Sequence, residues 1–456
     1  MLEALRVRLC QLGGWRQQSV NWRIFLSIIT VGSFQLVVSV AVVCKELVVV
    51  NHFGTGDSFD AFLIAFLLPS LAMNIVAGSF HAAFIPEYVK VREQEGREAA
   101  RGLFANVLGG YLILLIAISL FLMFISPVVL PILGSRFGQE KLALTHSLYL
   151  MLLPTLVIMG LTKAWGSLLN AEGKFALVAC SPMVIHSVTV ILLLWLGNVW
   201  GIHALTVGII GGFILEGGLL LWGLHSQGLP IVPRWSGFDP ATRRIIHQYL
   251  PMIGGAFLMG GMVFIDQAMA AMLGPGSVST LNYGSKIIVF ILGIGSMALS
   301  TAIFPHFSKM VAHEDWRGIR HTLRVYARLI LIITVPLTLL FFYFSEPLVR
   351  LVFERGAFTE ADTRLVGQVQ AYYSLQFPFY ILGILGVRLL SALARNQTLM
   401  VISGVILVAN IIGNYVFMHF LGVAGISLST SVVYVISVSL IFLSLSKQLK
   451  RARGLS

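Results

Sequence analysis

Lys45, Glu46, Lys163, Glu216, Asp266, Lys286 and Arg388 all lie inside long apolar stretches, with Asp60 near the end of another. A charge held mid-bilayer costs roughly 2.5–3.5 kcal/mol on insertion scales, so each needs a partner, water or a function. Glu46 and Asp266 stand 220 residues apart, and each has a lysine nearby: Lys45 beside the first, Lys286 after the second. Lys45 and Lys286 both fall about 12 Å along a helix from an outer turn, at 1.5 Å rise per residue. Lys45, Glu46, Asp266 and Lys286 are therefore expected in one layer of the outer half. Two ammonium groups there would attract a phosphate or diphosphate, while the carboxylates hold them or carry coupling protons or sodium. A structural reading stays open, in which Asp266–Lys286 only pairs two helices and Lys45 snorkels to the interface. Asp60 reads equally as a cavity charge or as a cap on the second helix. Lys163 and Arg388, near inner ends, read as snorkelling. Glu216 sits among Gly211, Gly212, Gly217 and Gly218, which favour close helix packing; the acid itself is a candidate proton site.

The elements that would position these groups follow from composition. Hydrophobic residues make up 57% and charged residues 11%, against about 25% charged in soluble chains. The fold class is an all-α polytopic membrane protein. About twelve transmembrane helices are predicted, at 23–51, 58–84, 102–133, 142–169, 174–198, 201–224, 247–273, 278–306, 324–345, 366–394, 398–419 and 422–446. A repeat divides them. Phe53-Gly54-Thr55-Gly56 is echoed by Leu273-Gly274-Pro275-Gly276, and Ala83-Phe84-Ile85-Pro86 by Ala302-Ile303-Phe304-Pro305, at offsets of 220 and 219. Parallel six-helix halves around a central cavity are a recurring transporter plan. The expected organisation is a cytoplasmic segment 1–22, an N-terminal bundle 23–228, a linker 229–246 with Pro230, Pro233 and Pro240, a C-terminal bundle 247–446, and a basic tail 447–456. Prolines at 69, 154, 182, 251, 336 and 378 are candidate bending points.

The net charge of +12 is distributed in alternate loops. Arg6, Arg8, Arg16, the cluster Lys90 to Arg101, Arg243, Arg244, the cluster Lys309 to Arg328, and Lys447 to Arg453 share one side, while few basic residues share the other. That asymmetry places both termini in the cytoplasm and argues against a nucleic-acid partner, which needs a clustered basic face. Cys10, Cys44 and Cys180 are widely spaced with no CxxC, so neither a disulfide framework nor a zinc site is expected. No phosphate loop, HExxH or GxSxG is present. The longest outside loop, 346–365, is too short for a catalytic domain. A non-enzymatic transporter without cofactor or metal is expected, driven by membrane potential, a proton or sodium gradient, or downstream consumption.

Phe53-Gly54-x-Gly56-x-x-x-Asp60-Ala61-Phe62, Ala65-Phe66-x-Leu68-Pro69 and Gly78-x-Phe80-x-x-Ala83-Phe84-x-Pro86 form a hairpin that resembles the signature of the MurJ/MviN lipid II flippase family, within the multidrug/oligosaccharidyl-lipid/polysaccharide exporters. Gly276-Ser277-Val278-Ser279 with Tyr283, and Arg355-Gly356-Ala357-Phe358-Thr359, are similar matches. The resemblance implies an inner-membrane flippase that turns over an undecaprenyl-pyrophosphate-linked glycan by alternating access. It implies a cationic cavity, with lipid-linked glycan and membrane lipids as partners. The family's first-helix Arg-Asp pair falls on Lys45-Glu46 and its eighth-helix arginine on Lys286. An Arg-Arg pair falls on Met73-Asn74, and another arginine near Ser39, so those contacts are lost. Alternatives left open are an exopolysaccharide-unit flippase, a cation-coupled multidrug exporter and a membrane glycan polymerase. The oligomeric state is not read from the sequence.

Overall fold

A computed structural model describes residues 20–454 except 236 and 238. Arg6, Arg8, Cys10 and Arg16, in the expected cytoplasmic segment, lie outside the described residues, as do the last two residues of the tail. The described chain is all-helical: α1 Val20–Phe53, α2 Asp57–Glu95, α3 Arg97–Leu133, α4 Gln139–Ala171, α5 Phe175–Cys180, α6 Pro182–Trp200, α7 Ile202–His225, α8 Pro240–Ala271, α9 Ser277–Ala312, α10 Trp316–Tyr343, α11 Ser345–Phe353, α12 Glu360–Ser374, α13 Phe377–Ala392, α14 Asn396–Leu421 and α15 Val423–Gly454. Among the described residues, twelve spans are long and apolar enough to cross a bilayer, with α5–α6 and α12–α13 each forming one broken span. Pro182 and Pro378 sit at these restarts, where the missing N–H is tolerated. Large apolar side chains such as Phe124, Trp195, Val199 and Phe420 point outward, as a lipid solvent permits.

Two apolar cores form. One is built mainly from α1–α7, with Phe84, Phe104, Leu148, Leu168 and Leu205, and takes in Tyr249, Tyr283 and Phe353 from the other half. The other is built mainly from α8–α15, with Ala270, Leu281, Phe307, Leu385 and Leu445, and takes in Ile64, Leu67 and Leu133 from the first half. Turns fall on two faces. A basic face carries the connections after α2, α4, α7, α9 and α13; the opposite face carries those after α1, α3, α6, α8, α11 and α14.

Two differences from expectation concern helix starts. Residues 240–246, expected in the linker, already belong to α8 because Pro240 fits the first helical position and the Asp239 side chain accepts from Thr242 N. The rest of the linker is strapped to α3. Arg234 N donates to Ala105 O at 2.8 Å, and buried Asn106 donates to Gly237 O and Asp239 at 2.9 and 3.0 Å. The expected loop 346–365 instead contains α11 and the start of α12, where Thr359 and Asp362 form a reciprocal capping box.

Candidate functional site

α1 and α9 each bring one lysine to the seam between the bundles. Lys45 Nζ lies 2.8 Å, and Lys286 Nζ 3.0 Å, from the same oxygen, Oε1 of buried Glu46. The acid thus links Lys45 in its own bundle to Lys286 in the other. These three line a cavity of about 220 Å3 with Phe59, Phe62, Phe66, Ser70, Gln267 and Asn282. Lys286 keeps 37% of its side chain exposed, so the ammonium faces open space as well as Glu46. Two cations share one carboxylate, which leaves local positive charge beside an apolar wall. That arrangement suits a phosphate-bearing ligand with a hydrophobic part.

Asp266 does not line this cavity. It is buried inside the C-terminal bundle, where it accepts from Asn410 and Asn414 amides at 3.0 and 2.7 Å and from the Thr430 hydroxyl at 3.2 Å. Three of the four expected residues therefore meet, and the helix-pairing bridge runs Lys286–Glu46 rather than Lys286–Asp266. The reason is helical geometry: Asp266 and Gln267 are successive residues, about 100° apart around α8. Gln267 faces the cavity and Asp266 the interior of its own, C-terminal bundle. The carboxylate is thus surrounded by amide and hydroxyl donors, with Asn414 Oδ1 buried and unpaired beside it.

Asp60 is also absent from the cavity lining, and it does not cap its own helix, which is preceded by Gly56 without a side-chain cap. It is fully buried and crosses to the other bundle. Its carboxylate accepts from Gly276 N at 2.7 Å, Ser279 N at 2.8 Å and Ser279 Oγ at 2.8 Å, capping α9 from outside. Lys141 Nζ, 3.0 Å away, balances its charge. Nearby, Ala357 N donates to Asn51 O at 2.9 Å and the Thr55 hydroxyl to Asp362. Gly276 is left-handed (φ 75°), and a Cβ there would stand 2.5 Å from Thr55 O, so only glycine permits the approach. Phe59 stacks on Tyr283 at 5.3 Å, and Phe353 and Phe358 flank Tyr283. The bundles are thus latched at the face opposite the basic one. Towards the basic face, Arg244 pairs with buried Glu87, and Tyr249 donates to Val76 O at 3.0 Å.

Glu216 lies in a separate pocket of the N-terminal bundle, lined also by His81, Lys163, Ser167 and Ser181, and accepts from Ser181 Oγ at 2.9 Å. It does not join the cavity. Sequence reasoning missed the neutral residues Ser70, Gln267, Asn282, Asn410, Asn414 and Thr430, and it gave Lys141 no role. Asn410 and Asn414 did carry a signal: two amides four residues apart in an otherwise apolar helix share one face.

Comparison with known proteins bears on this geometry. The family model described as lipid II flippase MurJ matches residues 49–455. A probable lipid II flippase MurJ of Vibrio cholerae is 28% identical, aligned over 94% of this chain and 84% of that protein. The lipid II flippase MurJ of Burkholderia cenocepacia is 25% identical over 93% and 84%. Among solved structures, a lipid II flippase MurJ in an inward closed conformation superposes with a TM-score of 0.78 at 21% identity, covering 94% of this chain and 90% of that one. An inward-facing multidrug resistance MATE transporter of the MOP superfamily gives 0.75 at 14% identity, covering 94% and 99%. The MATE likeness speaks for the fold, while the family match spans nearly the whole chain: it belongs to the MurJ lipid II flippase family.

Proposed function

We propose that this chain flips lipid II, carrying its diphosphate-linked head group through the seam between the bundles while the prenyl tail stays in lipid. The observation that carries the reading is the Lys45–Glu46–Lys286 cluster in the cavity between α1 and α9. The substrate diphosphate takes the place of Glu46 on the two lysines. Losing the shared carboxylate frees the bundles to part at this level. In the membrane the basic face is cytoplasmic, as positive-inside asymmetry requires, and the latched face is outer. The chain is a multi-pass protein of the bacterial inner membrane with both termini inside. The Asp266 cluster supplies energy coupling by taking up sodium or a proton, and no covalent step on the substrate is involved.

The test is complementation of cells depleted of their own lipid II flippase. The wild-type chain is expected to restore growth, and an equally expressed Lys286→Ala variant to fail. Rescue by Lys286→Ala would remove the cationic site from the mechanism. Failure of the wild type would point to another lipid-linked glycan, the reading that Met73 and Asn74, uncharged in this chain, would then favour.

A further inference from the structure

Lys286 does not face the cavity alone on its helix. Asn282 lies one turn away on the same face of α9, about 6 Å along the axis. Both line the cavity between the bundles. Asn282 Oδ1 is buried and has no hydrogen-bond partner, an arrangement that native proteins seldom leave in place without a use. The helix does not satisfy it: Ser285 Oγ donates instead to the backbone carbonyl of Asn282. The next residue, Tyr283, turns away into the aromatic cluster with Phe59, Phe353 and Phe358. An ammonium and an amide whose oxygen is buried without a partner in this arrangement, and so meets a ligand only as the bundles part, are thus held one turn apart on one helix.

We propose that Asn282 is a specificity-determining residue, its Oδ1 accepting a hydrogen bond from an O–H or N–H group on the saccharide ring directly joined to the diphosphate. The inference rests on the diphosphate reading of Lys45 and Lys286. A phosphate oxygen is an acceptor and cannot satisfy Oδ1, so the donor must come from the neutral group beside it. A helical turn matches the step from a phosphate on Lys286 to the substituents of the ring that it carries. Gln267 and Ser70, which share the cavity wall, offer further neutral polar contacts to the same ring. The lysines therefore hold the charge common to all diphosphate lipids, and Asn282 reads whether a sugar is attached. Sites built to hydrogen-bond a ligand group discriminate strongly against ligands lacking it.

The experiment is direct binding to the purified full chain in detergent, with two probes: undecaprenyl pyrophosphate and lipid II. Wild type is expected to bind lipid II at least ten-fold more tightly than undecaprenyl pyrophosphate. Asn282→Ala is expected to keep its affinity for undecaprenyl pyrophosphate and to lose that ten-fold preference. Retained binding of the bare diphosphate doubles as the folding control. Should the alanine variant unfold, Asn282→Leu, closer in size, is read in its place with the same expectation. Equal weakening of both probes, or no change in either, would overturn the role of Asn282. If Lys286→Ala keeps full affinity for undecaprenyl pyrophosphate while Asn282→Ala loses the preference, the lysine reading fails and the asparagine reading stands. A wild-type chain that binds neither probe would overturn both.

Discussion

At the residue scale, one carboxylate shared by two lysines and another shared by a helix end and a lysine do most of the organising. Glu46, Lys45 and Lys286 were legible because charges inside apolar sequence are costly and therefore conspicuous. Their mutual contact was legible only in outline. The repeat put Glu46 level with Asp266, but a one-residue step around α8 turns Asp266 away. Asp60 was visible as a charge and not as a latch, because its partners Gly276 and Ser279 lie over 200 residues away and are mostly backbone. Its position gives a prediction. Asp60→Asn keeps the shape but removes the charge that holds Lys141 and the N–H groups of α9. Losing a cap costs about 1 kcal/mol, and loss of a buried charge partner adds to it. The latched face should open more often, by ten-fold or more at about 1.4 kcal/mol per decade. A cysteine placed at Thr55 and labelled with a thiol reagent reports this; an unchanged labelling rate would show that Asp60 does not hold the face closed.

At the element scale, α8 carries two sites back to back. Gln267 forms cavity wall and Asp266 anchors the cluster with Asn410 and Asn414 of α14 and Thr430 of α15. On the proposed coupling role, a cation taken up by that cluster would draw α14 and α15 onto α8 and so reorient the cavity wall. The expected signature is stabilisation by mass action: binding to the folded state adds RT ln(1 + [L]/Kd). Sodium chloride should raise the unfolding temperature of the wild-type chain above its value in choline chloride, saturably, and should not do so for Asp266→Ala. Identical responses in the two proteins would remove Asp266 as the cation ligand. Long apolar spans and their order were legible in sequence, because bilayer thickness dictates their length. Their ends were less so. The 240–246 segment and the stretch around α11 are polar enough to read as loop, yet Asp239, Thr359 and Asp362 cap helices there.

At the scale of the molecule, the two bundles touch at the latched face through the motifs that carried the family resemblance. The Gly54–Asp60 hairpin, Gly276–Ser279 with Tyr283, and Gly356–Thr359 meet one another there. These glycines allow backbone to approach backbone, and the aromatic cluster closes the space above the lysines. The motifs thus describe the latched contact between the bundles more than the candidate site beneath it. The sequence revealed the site by its charges, and it left the neutral cavity residues unread because asparagine, glutamine and serine are ordinary in membrane helices. The cavity that holds the lysines measures about 220 Å3, so on the proposed function head-group passage requires the bundles to separate.

The measurement that bears most directly on this account is flipping of fluorescent lipid II in proteoliposomes by a latch variant. The native cysteines Cys10, Cys44 and Cys180 are replaced by serine, and Thr55→Cys with Asp362→Cys is joined by a short reducible bifunctional reagent across the contact that now links those side chains. The account predicts flipping before cross-linking, at least a ten-fold loss after it, and recovery on reduction. Undiminished flipping with the bundles tied together would contradict passage of the head group between them.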